Sequence, residues 1–143
     1  MRFMACAGLL WLSMWFCSAA HAEQKQQVGA YEVHYIILPT TFLKPDIATR
    51  YNLTRGRDRA LINVSIVDAQ GRGHRGTVTG RSRNLLGQSQ TLDFTEVTEQ
   101  DAVYYLALLR HADEEHHRVE LHVEVPDGEQ ATIELQQTMY WNH

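Results

Sequence analysis

The segment Arg59-Ala-Leu-Ile-Asn-Val-Ser-Ile-Val-Asp68 limits the fold more than any other stretch of this chain. Leu61, Ile62, Val64, Ile66 and Val67 leave almost no residue for a solvent face, and the β-branched ones fit a pleated surface at little conformational cost. Such a run predicts a strand covered on both sides, against which other strands pair and pack. A second apolar run, Ala102-Val-Tyr-Tyr-Leu-Ala-Leu-Leu109, predicts another interior strand. Its paired tyrosines and Val103, and the break at His111-Ala-Asp113, speak against a helix of the same length.

Half-buried strands are written around these two runs in period two. Tyr31, Val33, Tyr35 and Ile37 alternate with Glu32 and His34 until Pro39 ends the strand, and Thr91 to Val97 resumes the pattern. Val119, Leu121, Val123 and Val125 alternate with Arg118, Glu120, His122 and Glu124. Pro126-Asp-Gly128 then makes a tight turn into Ala131, Ile133 and Leu135. Pro45, followed by Ile47, Ala48 and Tyr51 at helical spacing, predicts one short helix over an open end of the sandwich. Glu23 to Gln27 reads as a loose polar lead-in, and Asn84-Leu-Leu-Gly-Gln88 as a turn that buries its leucines. No repeat or linker divides the pattern. The expected fold is all-β: one immunoglobulin-like antiparallel β-sandwich of about seven strands with one short helix, over residues 23–143.

The N-terminus predicts export. Met1-Arg2 is a short positive region, Phe3 to Cys17 is apolar apart from Gly8 and Ser13, and Ala20-His-Ala22 offers small residues to a signal peptidase. Residues 1–22 are therefore expected to be a cleaved signal peptide, leaving no transmembrane segment and a periplasmic address. Cys6 and Cys17 leave with it, so no disulfide supports the domain, and thiol catalysis, iron–sulfur clusters and cysteine zinc sites are excluded together. Loss of Arg2 takes the net formal charge from −4 to −5, which excludes nucleic acid as a partner.

Chemistry is sparse. Gly71, Gly73 and Gly76 spell the G-x-G-x-x-G of dinucleotide sites, yet the β-branched Thr77-Val-Thr79 follows where a helix N-terminus is needed, so the segment reads as a mobile hairpin loop. Ser65 lies inside a strand and Ser82 between arginines, with no nucleophile elbow around either. Asp93, Glu96, Glu99 and Asp101 read as an exposed turn, and no enzyme is expected.

Two surface features remain. His111, His116 and His117 are the candidate ligands of a Zn or Cu site, imidazoles being what those ions select once thiols are gone. His116 and His122 sit ~20 Å apart at ~3.3 Å per residue and cannot share an ion, so a site needs His111 brought to His116 or His117 by a turn. Arg72, Arg75, Arg81 and Arg83 belong to an arginine-rich first half facing an acidic second half. Either the two halves pair across strands, or these four arginines form a patch for an anionic partner.

Several segments together resemble a known family: Gly29, Tyr31, Val33, His34 and Tyr35; Phe42, Leu43, Pro45, Ile47, Ala48 and Tyr51; Arg59, Leu61, Asn63, Val64 and Ser65; Asn84-Leu-Leu-Gly-Gln88; and Tyr104-Tyr105. The family consists of small exported gammaproteobacterial proteins grouped as a domain of unknown function. The resemblance spans the mature chain and implies an immunoglobulin-like fold in the periplasm. It brings no catalytic residues and no cofactor. The expected role is a binding or accessory module recognising a protein or an anionic envelope component, with Zn or Cu binding through the His-rich segment as the alternative.

Overall fold

The structure, a computed structural model, describes residues 24–141. The expected signal peptide and its cleavage point lie outside the described residues. In chain order the strands are β1 (Gln24–Val28), β2 (Tyr31–Pro39), β3 (Arg59–Val67), β4 (Thr77–Asn84), β5 (Ser89–Leu92), β6 (Thr95–Glu99), β7 (Ala102–Arg110), β8 (Glu115–Glu124) and β9 (Gln130–Met139). A 3-10 turn at Thr40–Phe42 and a helix, α1 (Pro45–Arg50), lie between β2 and β3. The strands form two antiparallel sheets, ordered β1-β2-β3-β7-β6 and β5-β4-β8-β9. The fold is the expected all-β, immunoglobulin-like sandwich.

The two apolar runs are its central strands, β3 lying between β2 and β7. Ile62, Val64 and Ile66 on β3 and Ala107 and Leu109 on β7 are buried against Val119, Leu121 and Val123 of β8 and Ile133 of β9. These are alternate residues on each strand, so the period-two pattern places the core between the sheets. Leu61 and Leu106 are also buried but lie outside that core. Their register puts them on the outer face of the first sheet, which is why β3 and β7 read as continuous apolar runs.

What covers them corrects one expectation. The excursion from Thr40 to Asp58 crosses the outer face of the first sheet instead of capping an open end. Ala48 is buried, Arg50 reaches Glu99 of β6 at 3.6 Å, and residues 51–54 line a cleft with Leu106 and Leu108. Pro45 does stand at the start of α1, where its missing N–H costs nothing. Buried Thr40 anchors the excursion: its hydroxyl lies 2.8 Å and 2.9 Å from the carbonyls of Gly56 and Arg59 and accepts the Gly56 N–H at 3.0 Å.

Two further segments differ from expectation. The polar lead-in is strand β1, in register with β2 from Gln24 opposite Tyr35 to Val28 opposite Tyr31. An edge strand needs only its backbone donors and acceptors, so Gln-Lys-Gln-Gln carries no hydrophobic period to betray it. The glycine-rich segment is no hairpin loop either, because β3 and β4 belong to different sheets and residues 68–76 carry the chain from one to the other. Asp68 ties this crossover down: its Oδ1 accepts the N–H groups of Gln70 and Arg72, and its Oδ2 lies 2.8 Å from His74 Nε2. These donors hold the Asp68 carboxyl below its ordinary pKa, the His74 bond contributing most.

Candidate functional site

Antiparallel strands gather the connections at two poles. The lower pole holds the β1–β2 turn, the 68–76 crossover and the β6–β7 and β8–β9 turns, joined by Ala30 N–H to Asp127 Oδ2 at 3.2 Å and Gly73 N–H to the Asp101 carbonyl at 2.7 Å. The upper pole holds the two ends of the Thr40–Asp58 excursion, the β4–β5 hairpin, the 111–114 connection and the C-terminal Tyr140 and Trp141.

The glycines of the crossover have fold reasons. A Cβ on Gly76 would lie 2.3 Å from the Glu124 carbonyl oxygen, one on Gly73 would lie 2.6 Å from the Val103 nitrogen, and Gly71 has φ +80°. Backbone approach and a left-handed turn explain all three, and the strand β4 that follows offers no helix N-terminus to a phosphate. Beside this pole a groove of about 700 Å³ runs over the outer face of the first sheet, lined in part by Glu32, His34, Ser65, Asp68 and Tyr104. His34 Nε2 lies 3.2 Å from Glu32 Oε2 within it.

The four candidate arginines do not form one patch. Arg72 and Arg75 belong to the lower-pole crossover, and Arg75 faces Glu96 at 3.4 Å. Arg81 and Arg83 lie on β4, whose outer face is exposed. Arg81 pairs with Glu120 at 3.7 Å, whereas Arg83 stands directly across from Arg118 and donates only to Ser89 Oγ at 3.4 Å. Cross-strand neutralisation therefore holds for Arg81 and fails at the Arg83–Arg118 pair, while Arg75 is neutralised from the crossover.

Ser82, between those arginines, points inward and is fully buried. Its Oγ lies 2.7 Å from His117 Nδ1, and His117 Nε2 lies 2.5 Å from Glu115 Oε1. Both ring nitrogens of His117 are thus engaged, one by the serine hydroxyl and one by the carboxylate. A Ser–His–carboxylate chain of this kind is a nucleophile's arrangement only where substrate reaches the oxygen. Here Ser82 is 0% and His117 3% exposed, so the chain is a polar clasp between β4 and β8. Desolvation pulls the Glu115 carboxyl up, but bonds from His117, the Ala112 N–H and Asn84 outweigh it and leave its pKa below the ordinary value.

The histidines named as ligands are spread apart by the same pleat. His117 faces inward. His116 faces outward, held by Thr138 Oγ1 and Gln136 Oε1, each at 3.1 Å. His111 is buried, with Nδ1 2.9 Å from the Ala112 carbonyl. Among the described residues no three His, Cys, Asp or Glu side chains converge as a metal site.

The residues the sequence misassigned are Leu85 and Leu86. The turn that was expected to bury them leaves them 82% and 85% exposed. Asn84 is the reason: its Oδ1 accepts the N–H groups of Leu86 and Gln88, Gly87 takes φ +82°, and the hairpin closes with both leucines at its apex. Among the described residues, the other large hydrophobic side chains this open to solvent are Phe42 at 65% and Tyr140 at 59%. All four belong to the upper pole. A chain of contacts joins them: Asn84 to Glu115 across the hairpin base, Glu115 paired with Met139 beside Tyr140, Arg57 over the Trp141 ring at 4.4 Å, and Arg55 donating to the Thr41 carbonyl next to Phe42.

Known proteins place the fold. The crystal structure of a DUF4426 family protein from Pseudomonas aeruginosa PAO1 matches with a TM-score of 0.75 at 28% identity, over 85% of this chain and 97% of that one. FetP of uropathogenic Escherichia coli strain F11, expressed recombinantly in the E. coli periplasm, matches with a TM-score of 0.58 at 15% identity, over 85% and 96%. A copper-bound variant of FetP gives 0.56 at 14% identity, over 85% and 92%. At such identities the likeness to FetP extends to the fold alone. No curated protein matches the sequence. No helix among the described residues is long and apolar enough to cross a membrane. Residues 25–142 match the domain of unknown function DUF4426, and the chain belongs to that family.

Proposed function

We propose that this chain is a periplasmic binding module that engages a protein or an anionic envelope component through its upper pole. The observation that carries the reading is the gathering of Phe42, Leu85, Leu86 and Tyr140, all open to solvent, at one end of a sandwich whose core is otherwise closed. Exposed apolar side chains concentrated in one place mark an interaction surface, whereas scattered ones do not. The export signal read at residues 1–22 and the periplasmic expression of FetP support the compartment. A photo-crosslinking residue at Leu86 in living cells should give discrete adducts, and the same residue at exposed Thr132, on the outer face of the second sheet, should give none. Equal labelling at both positions, or none at either, would remove the pole as the working surface.

Copper or zinc uptake through His111, His116 and His117 is the second reading, favoured by the fold shared with copper-bound FetP. It requires His117 to leave Ser82 and Glu115. Calorimetry with Cu²⁺ or Zn²⁺ should then show stoichiometric uptake that His111→Ala or His117→Ala abolishes.

A further inference from the structure

We infer that the upper pole docks on an anionic lipid surface, Leu85 and Leu86 entering the interfacial layer while Arg83 and Arg118 take headgroup phosphate. This deepens the proposed function and rests on its reading of the pole. The first observation is the cross-strand pair itself. Arg83 and Arg118 are directly opposed on an exposed face, an arrangement that repels in the free protein, and neither has an ion-pair partner among the described residues. The nearby acids are engaged elsewhere: Glu120 lies 3.7 Å from Arg81 and 2.8 Å from His122 Nε2, and Glu115 binds His117 and Asn84. Glu134 lies two register positions farther along, opposite Glu120. Two guanidiniums without a protein counter-ion favour an external anion, and phosphate is among the anions whose geometry their planar forks match.

The second observation is where the pair sits. A cleft of about 250 Å³ is lined by Arg83, Asn84, Leu85, His116, Arg118 and Gln136, so cations and the hairpin apex share one surface. His116 is held in place there by Thr138 and Gln136. The apex is convex and narrow, two leucines thrust outward with arginine stems behind them. That shape enters a fluid apolar layer while the stems reach back to phosphate depth, and exposed Tyr140 at the same pole is a side chain suited to the same boundary. The exported chain is acidic, at −5 once Arg2 is lost, so an anionic membrane favours an approach led by the Arg83–Arg118 pair.

The test uses the exported chain, residues 23–143, with sedimented vesicles of phosphatidylcholine alone or mixed with phosphatidylglycerol. Trp141, the single tryptophan beyond residue 22, reports contact by its fluorescence. Binding is expected to the mixed vesicles only, weakening with salt. Leu85→Ser with Leu86→Ser should reduce it about tenfold or more, as should Arg83→Glu with Arg118→Glu. These positions are exposed, and an unchanged denaturation midpoint shows that the variants fold. Titration with inorganic phosphate separates the sources: saturable phosphate uptake without vesicle binding overturns the lipid inference in favour of a soluble anion. Vesicle binding equal on both compositions, or unaffected by either pair of changes, overturns it as well. If vesicles fail while Leu86 still crosslinks to a protein, the lipid inference falls and the pole reading stands. If both fail, both fall.

Discussion

Ser82→Ala separates a structural clasp from a catalytic one. The serine hydroxyl is fully buried and lies 2.7 Å from His117 Nδ1, while Glu115 fixes the far side of the ring. Removing the hydroxyl deletes one hydrogen bond, about 1 kcal/mol net, and leaves an imidazole nitrogen in a site that water does not reach, a desolvation cost of ~1–3 kcal/mol. Little volume is lost, so the cavity contribution is small. The expected loss is about 2 kcal/mol, a large share of the ~5–15 kcal/mol that holds a domain of this size together. Urea unfolding followed by circular dichroism should show the midpoint moving down with an unchanged slope. In a cycle with His117→Phe, the two changes together should cost less than their sum, because the second removes the nitrogen that the first orphans. A loss below about 0.5 kcal/mol would refute the clasp, since that is the scale of surface substitutions without a structural role.

The fold makes two further predictions. Gly76→Ala should destabilise by about 2 kcal/mol or more, because its Cβ would press on the Glu124 carbonyl and on Ile66 Cδ1, and the Gly71→Ala cost should come from backbone strain alone; equal stability of Gly76→Ala and the parent in urea would show that β4 and β8 separate there without cost. Glu115 has a lowered pKa in the folded state, so the unfolded chain takes up its proton first as pH falls. Its contribution is complete above its ordinary value of 4.5 and is lost as pH drops beneath that through the lowered folded value. Midpoints measured across that acid range should fall more steeply for the parent than for Glu115→Gln, and parallel curves would contradict the assignment.

How far the sequence reached follows from what kind of information side-chain period carries. Period two states which residues of a strand face inward, and it identified β2, β8 and β9 because each sets alternate apolar residues into one core, whereas β3 and β7 were legible as continuous apolar runs because both of their faces are covered. It is silent about an edge strand without apolar residues, so β1 went unread. It also merged β5 with β6, since the alternation from Thr91 to Val97 continues while the chain passes from one sheet to the other at Asp93-Phe94. Leu85 and Leu86 failed for a different reason. Hydrophobicity argues for burial, but Asn84 and Gly87 close the turn so tightly that no strand remains over which to fold the leucines back.

The pairing of Arg83 with Arg118 was less legible still, because β5, β6 and β7 separate the two strands in sequence and join them only through sheet order. Charge read along the chain set a basic first half against an acidic second half and implied mutual neutralisation. Sheet order neutralises Arg81 with Glu120 but brings Arg83 to the one position on β8 where an arginine interrupts the acids and histidines of the outer face. The same topology sends the ends of the excursion, the hairpin apex and the C-terminal aromatics to that pole. A surface made from four segments distant in sequence has no motif to be found by, and a shared fold does not by itself mark such a surface.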